Sequence, residues 1–281
     1  MVRDSLRTTL SNLIDYAGLF PPAELDMKTA VRNFISYRGG ENAWALGRFV
    51  VPATRLDEMR QAADGQAFET TALIGPNIQA EIDAAQAFGV DAVEIKAGTP
   101  AQIRNAAERI PPGMTCYFEI PLGQDPRKNL EVIAEVGARA KVRTGGLTGD
   151  AFPGSRDLAR FLGACVEANV AFKATSGLHH PLRGEYSITN KPGGETALMH
   201  GFLNVFMAAA FLRAGMESTL VVRLLEDQGA SPFRFDDDSV GWREESLDND
   251  QLADARKNVG IAFGSCSFEG PIADLKKLGV L

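Results

Sequence analysis

The chain is short of the residues that build several common kinds of site. It has three cysteines, Cys116, Cys165 and Cys266. The number is odd and no two form a C-x-x-C pair, which argues against a disulfide framework or a thiolate metal site. They read as reduced thiols of a cytoplasmic protein. No histidine motif stands beside Cys266, so a nucleophilic role for it is not expected. There is no Lys/Arg-rich run and the net charge is −7, which excludes a basic nucleic-acid-binding surface. The longest apolar stretch, residues 202–212, contains Asn204 and is too short to span a bilayer. Residues 1–7 have no apolar core followed by a cleavage site, so a signal peptide is not expected. A Rossmann G-x-G-x-x-G is also missing.

What is present alternates. Short apolar runs at residues 13–20, 47–53, 68–75, 90–96, 114–121, 139–143, 170–175 and 231–236 are separated by segments with apolar residues at helical spacing. The runs end in Gly, Pro or Thr turns, as strands buried on both faces of a parallel sheet do. Thr99-Pro100 and Asp125-Pro126 read as cap plus first-turn proline at helix starts. Eight such units in 281 residues predict an α/β protein with one (β/α)8 TIM-barrel domain. The barrel is expected over about residues 13–236, with a C-terminal helical extension over about 237–281. An open doubly wound sheet is the alternative, and residues 260–265 compete for the place of the eighth strand. The segment 199–213 is apolar nearly all round, which predicts burial on both sides, under the tail or in a homo-oligomer interface.

Barrel interiors are normally filled by Val, Ile and Leu. Here charged residues sit inside the strands. Residues two apart share a face, so Glu94 pairs with Lys96, Tyr117 with Glu119, Lys141 with Arg143, and Lys173 with Thr175. Asp15 lies on the face opposite Ile14 and Tyr16. The charges fall near the C-terminal halves of their strands, where barrel enzymes carry their chemistry. Each unpaired buried ion costs several kcal/mol, so these should be paired or functional. Two lysines, Lys141 and Lys173, each run into a Thr/Ser/Gly turn. A lysine attacks a carbonyl only as the free amine, of which under ~0.1% exists at pH 7 for an ordinary side chain. A second cation nearby lowers that pKa. Adjacent lysines, with Arg143 close by, would supply this pressure. One amine could then form a Schiff base, with Glu94 or Asp15 moving protons.

These residues resemble a family. Residues 14–23, IDYAGLFPPA, are similar to the opening I-D-H-T-L-L-x-P-x-A of the 2-deoxyribose-5-phosphate aldolases. Residues 89–95, GVDAVEI, resemble that family's fourth strand, KVRTG at 141–145 its sixth-strand K-T-S-T-G, and KATSG at 173–177 its seventh-strand K-x-[SA]-G-G. The resemblance covers about residues 13–178. It implies a class I aldolase-like barrel in which Lys141 forms the Schiff base, Lys173 tunes it, and Glu94, helped by Asp15, carries protons, with no cofactor. Glu94 stands where the family has Asp, and Arg143 where it has a small residue. The nearest counterpart of its phosphate-holding turn is residues 264–267.

The expected ligand is a small, anionic carbonyl compound. Arg143, Thr144, Gly145, Gly146, Thr175, Ser176 and Gly177 would hold its anionic end, with Glu119, Lys96 and His179 also lining the site. A metal-dependent enzyme using Glu94, Glu119 and one of His179 or His180 is an alternative. So is a barrel without catalysis that binds a small anion or a partner protein.

Overall fold

A computed structural model of the chain describes residues 2–189 and 193–281. The barrel is built from short apolar runs that cannot satisfy their backbone groups alone. In chain order they are β1 (Ile14–Tyr16), β2 (Leu46–Pro52), β3 (Thr70–Ile74), β4 (Ala92–Lys96), β5 (Thr115–Glu119), β6 (Arg139–Arg143) and β7 (Phe172–Thr175). After β7 the chain leaves the barrel. It forms an antiparallel hairpin of β8 (Gly184–Ser187) and β9 (Thr196–Met199), then a small antiparallel sheet of β10 (Phe233–Phe235), β11 (Ser239–Trp242) and β12 (Glu245–Asp248). β13 (Gly260–Ser265) returns between β7 and β1 and closes the ring, in the order β1-β13-β7-β6-β5-β4-β3-β2. Every neighbouring pair in that ring is parallel. With its alternating helices, the fold is a (β/α)8 barrel.

The start predicted at Thr99-Pro100 holds, whereas at Asp125-Pro126 the proline is itself the cap residue, just ahead of the first turn. Thr99 Oγ1 accepts from the backbone N–H of Gln102, with Pro100 in the first turn. Asp125 accepts from the N–H of Arg127, where the next helix begins. Asp248 and Gln251 close a reciprocal capping box that starts the helix Asn249–Asn258.

The eighth strand is not residues 231–236. Those residues form β10, whose partner follows at once: Phe235 lies opposite Val240, and the Asp236 N–H donates to the Ser239 carbonyl. A tight local return satisfies this strand before it can reach the barrel. The competing segment 260–265 closes the ring instead. Its Ala262 and Gly264 alternate with Phe263, which stacks at 5.1 Å on Phe202 in the helix layer. The last residues are therefore part of the barrel rather than an extension of it. The stretch after β7, part of which lies outside the described residues, carries β8. Residues 196–199 form β9, which takes up the first residue of the apolar segment 199–213, the rest of which supplies a helix.

That helix begins later, at Phe202, and runs to Arg213. It is buried on every side by the helices Ser155–Glu167, Ser218–Glu226 and Asn249–Asn258 and by β13. Its polar residue, Asn204, is fully paired: Nδ2 donates to the carbonyls of Leu224 and Asp227, and Oδ1 accepts from the Arg183 N–H. The all-round apolar character is thus satisfied within one chain, and it no longer calls for a subunit interface. Among the described residues no helix is long and apolar enough to cross a membrane.

Closure by β13 makes Phe263 a central core residue and Phe235 a peripheral one. Phe263→Ala is expected to cost about 3–5 kcal/mol in urea unfolding, and Phe235→Ala less than half as much. Equal costs would contradict this closure.

Candidate active site

The barrel register decides which charges meet. Lys141 lies directly opposite Lys173 on β7 and Glu119 on β5. Glu94 lies one strand further round, opposite Tyr117. These side chains point into the barrel near the C-terminal ends of their strands, at the floor of a cavity of about 210 Å³.

Glu94 joins the two lysines. Its Oε2 lies 2.6 Å from Lys141 Nζ and its Oε1 2.5 Å from Lys173 Nζ. Lys141 also reaches Glu119 Oε2 at 2.9 Å, and Lys173 reaches Asp15 Oδ2 at 2.5 Å. The second oxygen of Asp15 accepts from the Arg48 backbone N–H at 2.7 Å. Asp15, Glu94, Lys141 and Lys173 are each 5% exposed or less. Lys173 Nζ also sits 5.2 Å from the ring centre of Tyr117, a cation–π contact, and the Tyr117 hydroxyl accepts from Arg139. Arg143 is on the rim, its side chain half exposed. Its guanidinium is 3.8 Å from Glu119 and donates to the Ser176 hydroxyl at 3.0 Å.

The electrostatics follow from this packing. Burial alone would raise the Glu94 pKa, but Lys141 and then Lys173 outweigh it and bring it down to about 2. Burial alone would lower the Lys173 pKa, but Asp15 and then Glu94 outweigh that and hold it above the ordinary lysine value. Lys173 is therefore an ammonium at neutral pH. Three carboxylates, Asp15, Glu94 and Glu119, stand among the amines.

The turns at Gly145 and Gly177 pack closely against each other and against the Phe152 ring. A methyl group on Gly145 would lie 2.5 Å from that ring and 2.9 Å from Gly177 Cα. Gly177 has φ of +78°, and a methyl group there would lie 2.9 Å from Gly145 Cα, from the Phe152 ring and from the Thr144 carbonyl oxygen. Gly146 is likewise crowded by Ala151. These glycines permit close packing of two turns under an aromatic lid. Thr144 is buried and ties the turns together, its hydroxyl donating to the Ser176 carbonyl at 2.5 Å. Thr175, Ser176 and Gly177 line the cavity wall.

His179 lines the cavity as expected, and burial followed by the nearness of His180 lowers its pKa to about 4, so it is neutral at pH 7. His180 turns away. Its Nδ1 lies 2.6 Å from Asp274 and its ring stacks on Tyr186 at 3.6 Å. Lys96 is exposed and lines a neighbouring cavity, which shares Glu119 and Arg143 with the first. The alternative metal site is not assembled: both carboxylates are bonded to Lys141, and His180 faces Asp274. Among the described residues no group of three or more His, Cys, Asp and Glu side chains is placed to hold an ion.

The upper half of the cavity went unforeseen. It is apolar, formed by Leu147 and Phe152 after β6, Ile188 and Met199 on the β8–β9 hairpin, and Phe20 and Pro22 after β1. Cys266 also borders it. No motif marks these residues. They come from three loops whose meeting is a tertiary fact.

No protein-family model and no curated protein matches the chain. Among solved structures, it is similar to the spore cortex-lytic enzyme SleL of Bacillus cereus, at 11% identity and a TM-score of 0.46, over 95% of this chain and 73% of that one. A likeness at that level carries no inference about activity.

The two shifted groups give opposite pH limbs. The stability owed to Glu94 is present above its ordinary pKa of 4.5 and is lost as pH falls toward 2. That owed to Lys173 is present below its ordinary value of 10.5 and is lost in more alkaline solution. In urea titrations, Glu94→Gln is expected to be less stable at neutral pH by about 3–5 kcal/mol. Its stability should also fall less steeply than that of the unmodified protein between pH 5 and pH 2.5. Parallel slopes would show that Glu94 titrates normally.

Proposed function

We propose that the protein is a class I aldolase-like lyase that forms a Schiff base with a small carbonyl compound. The observation that carries the reading is the pair of buried lysines sharing Glu94 at the floor of the cavity. Lys173, held charged by Asp15 and Glu94, serves as a fixed cation. Lys141 is the nucleophile. It lies between two carboxylates, each within hydrogen-bond reach, so its proton has somewhere to go when a carbonyl enters and displaces water.

In this reading Glu94 or Glu119 takes a proton from Lys141, and the amine nitrogen attacks the carbonyl carbon. The oxygen gains a proton to give a carbinolamine, and a second proton lets it leave as water. The resulting iminium withdraws electrons from the neighbouring carbon. A carboxylate can then remove a proton there, or a carbon–carbon bond can break, to leave an enamine. Addition of the enamine to an aldehyde runs the cycle in the synthetic direction. Water restores Lys141. Asp15 has a supporting role: it matches the Lys173 charge and leaves Glu94 free to exchange protons with Lys141. The resemblance to the 2-deoxyribose-5-phosphate aldolases supports the same assignment of roles.

Borohydride reduction in the presence of a panel of aldehydes and ketones, followed by peptide mass mapping, tests this. The expected adduct is on Lys141. Lys141→Arg, which keeps the charge, should give none, and turnover of any reactive substrate should fall ~10³-fold or more, as when a covalent nucleophile is removed. An adduct that maps to Lys173 alone, or the absence of any adduct, overturns the proposal.

A further inference from the structure

The buried amines at the floor are already matched. Lys141 is bonded to Glu94 and Glu119, and Lys173 to Glu94 and to Asp15 beneath the lining. His179 is neutral at pH 7. An additional anionic group would find no unpaired cation at the floor. Lys96 faces the neighbouring cavity instead.

Above the ionic floor the walls are carbon. Phe152, Ile188 and Met199 belong to one apolar cluster, with Ala197 and Tyr186 packed beneath the hairpin. This roof is held in place from both sides. The Ile188 N–H donates to the Glu195 carbonyl across the hairpin. The Glu195 side chain accepts from the Gly149 N–H, joining the hairpin to the loop that carries Phe152. Phe20 and Pro22 complete the opposite wall. The roof is thus a built surface between two tied loops, and it stands over the amine.

We infer that the carbonyl substrate carries an apolar substituent, aliphatic or aryl, which packs under Phe152, Ile188 and Met199 while its carbonyl reaches Lys141. This rests on the Schiff-base reading for its chemistry, but the roof has a test of its own. Each methylene placed under such a roof should raise affinity about three- to fourfold until the cavity is full. A hydroxylated or phosphorylated chain would lose its water without finding partners there.

Two measurements separate the claims. The first is borohydride trapping at matched concentrations of butanal, hexanal and phenylacetaldehyde against glyceraldehyde, glyceraldehyde 3-phosphate and glyoxylate. The apolar aldehydes should give at least tenfold more Lys141 adduct. Met199→Gln and Ile188→Asn should each reduce that ratio several-fold. Preference for the phosphorylated or hydroxylated compounds overturns the inference and leaves the Schiff base standing. The second is calorimetric binding of hexanamide and phenylacetamide, which cannot form an imine. Binding that weakens in both roof variants supports the roof even if no adduct forms on Lys141, an outcome that would sink the proposed reaction alone. Absence of amide binding at millimolar concentration, together with no apolar preference in trapping, overturns the inference.

Discussion

A carboxylate bonded to two ammonium groups is the interaction on which the structure turns. Glu94 can sit in a dry barrel only because Lys141 and Lys173 each occupy one of its oxygens. Both lysines are tolerable only because Glu119 and Asp15 take up the remaining charge. Such networks rarely add net stability, since desolvation offsets most of the attraction, yet removing one member strands the others. The arrangement therefore constrains the barrel more than it strengthens it. Lys141 opposite Lys173 on one side and Glu119 on the other is a single register; a slip of one residue in any of these strands would turn a charge outward and leave its partner alone.

Much of this could be read from residue order. Parity alone placed Glu94, Glu119, Lys141 and Lys173 on inward faces, and strand-by-strand alternation with helices placed them on neighbouring strands. Two things were not legible. The first was which segment closes the ring. Phe233-Arg-Phe235 alternates like a strand and is one, but periodicity does not say which sheet a strand joins; the prompt return at Ser239–Trp242 decides that. The second was how closely the glycine turns pack against each other and against the Phe152 ring, which no local pattern records. Which carboxylate oxygen meets which amine was not legible either, because it depends on side-chain length and direction.

Floor and roof divide the cavity by kind. The floor is drawn from barrel strands and is rigid, ionic and fully paired. The roof is drawn from loops after β1, β6 and β7, the usual source of variation on this scaffold. A fold of this type hosts many chemistries, so the barrel by itself assigns none. What individualises this one is a set of paired buried charges beneath a hydrocarbon surface.

β13 has a consequence for how the molecule is made. It lies between β1 and β7, and the Asp15–Lys173 bridge passes over its small residues Ala262 and Gly264. On a ribosome, the anion near the start of the chain and the cation in its middle emerge long before the strand that seats them. Until residues 260–265 arrive, the two belong to opposite lips of an unclosed sheet, each hydrated. Drying of the site thus waits for residues 260–265, and a nascent barrel carries these side chains open to water until that strand is in place.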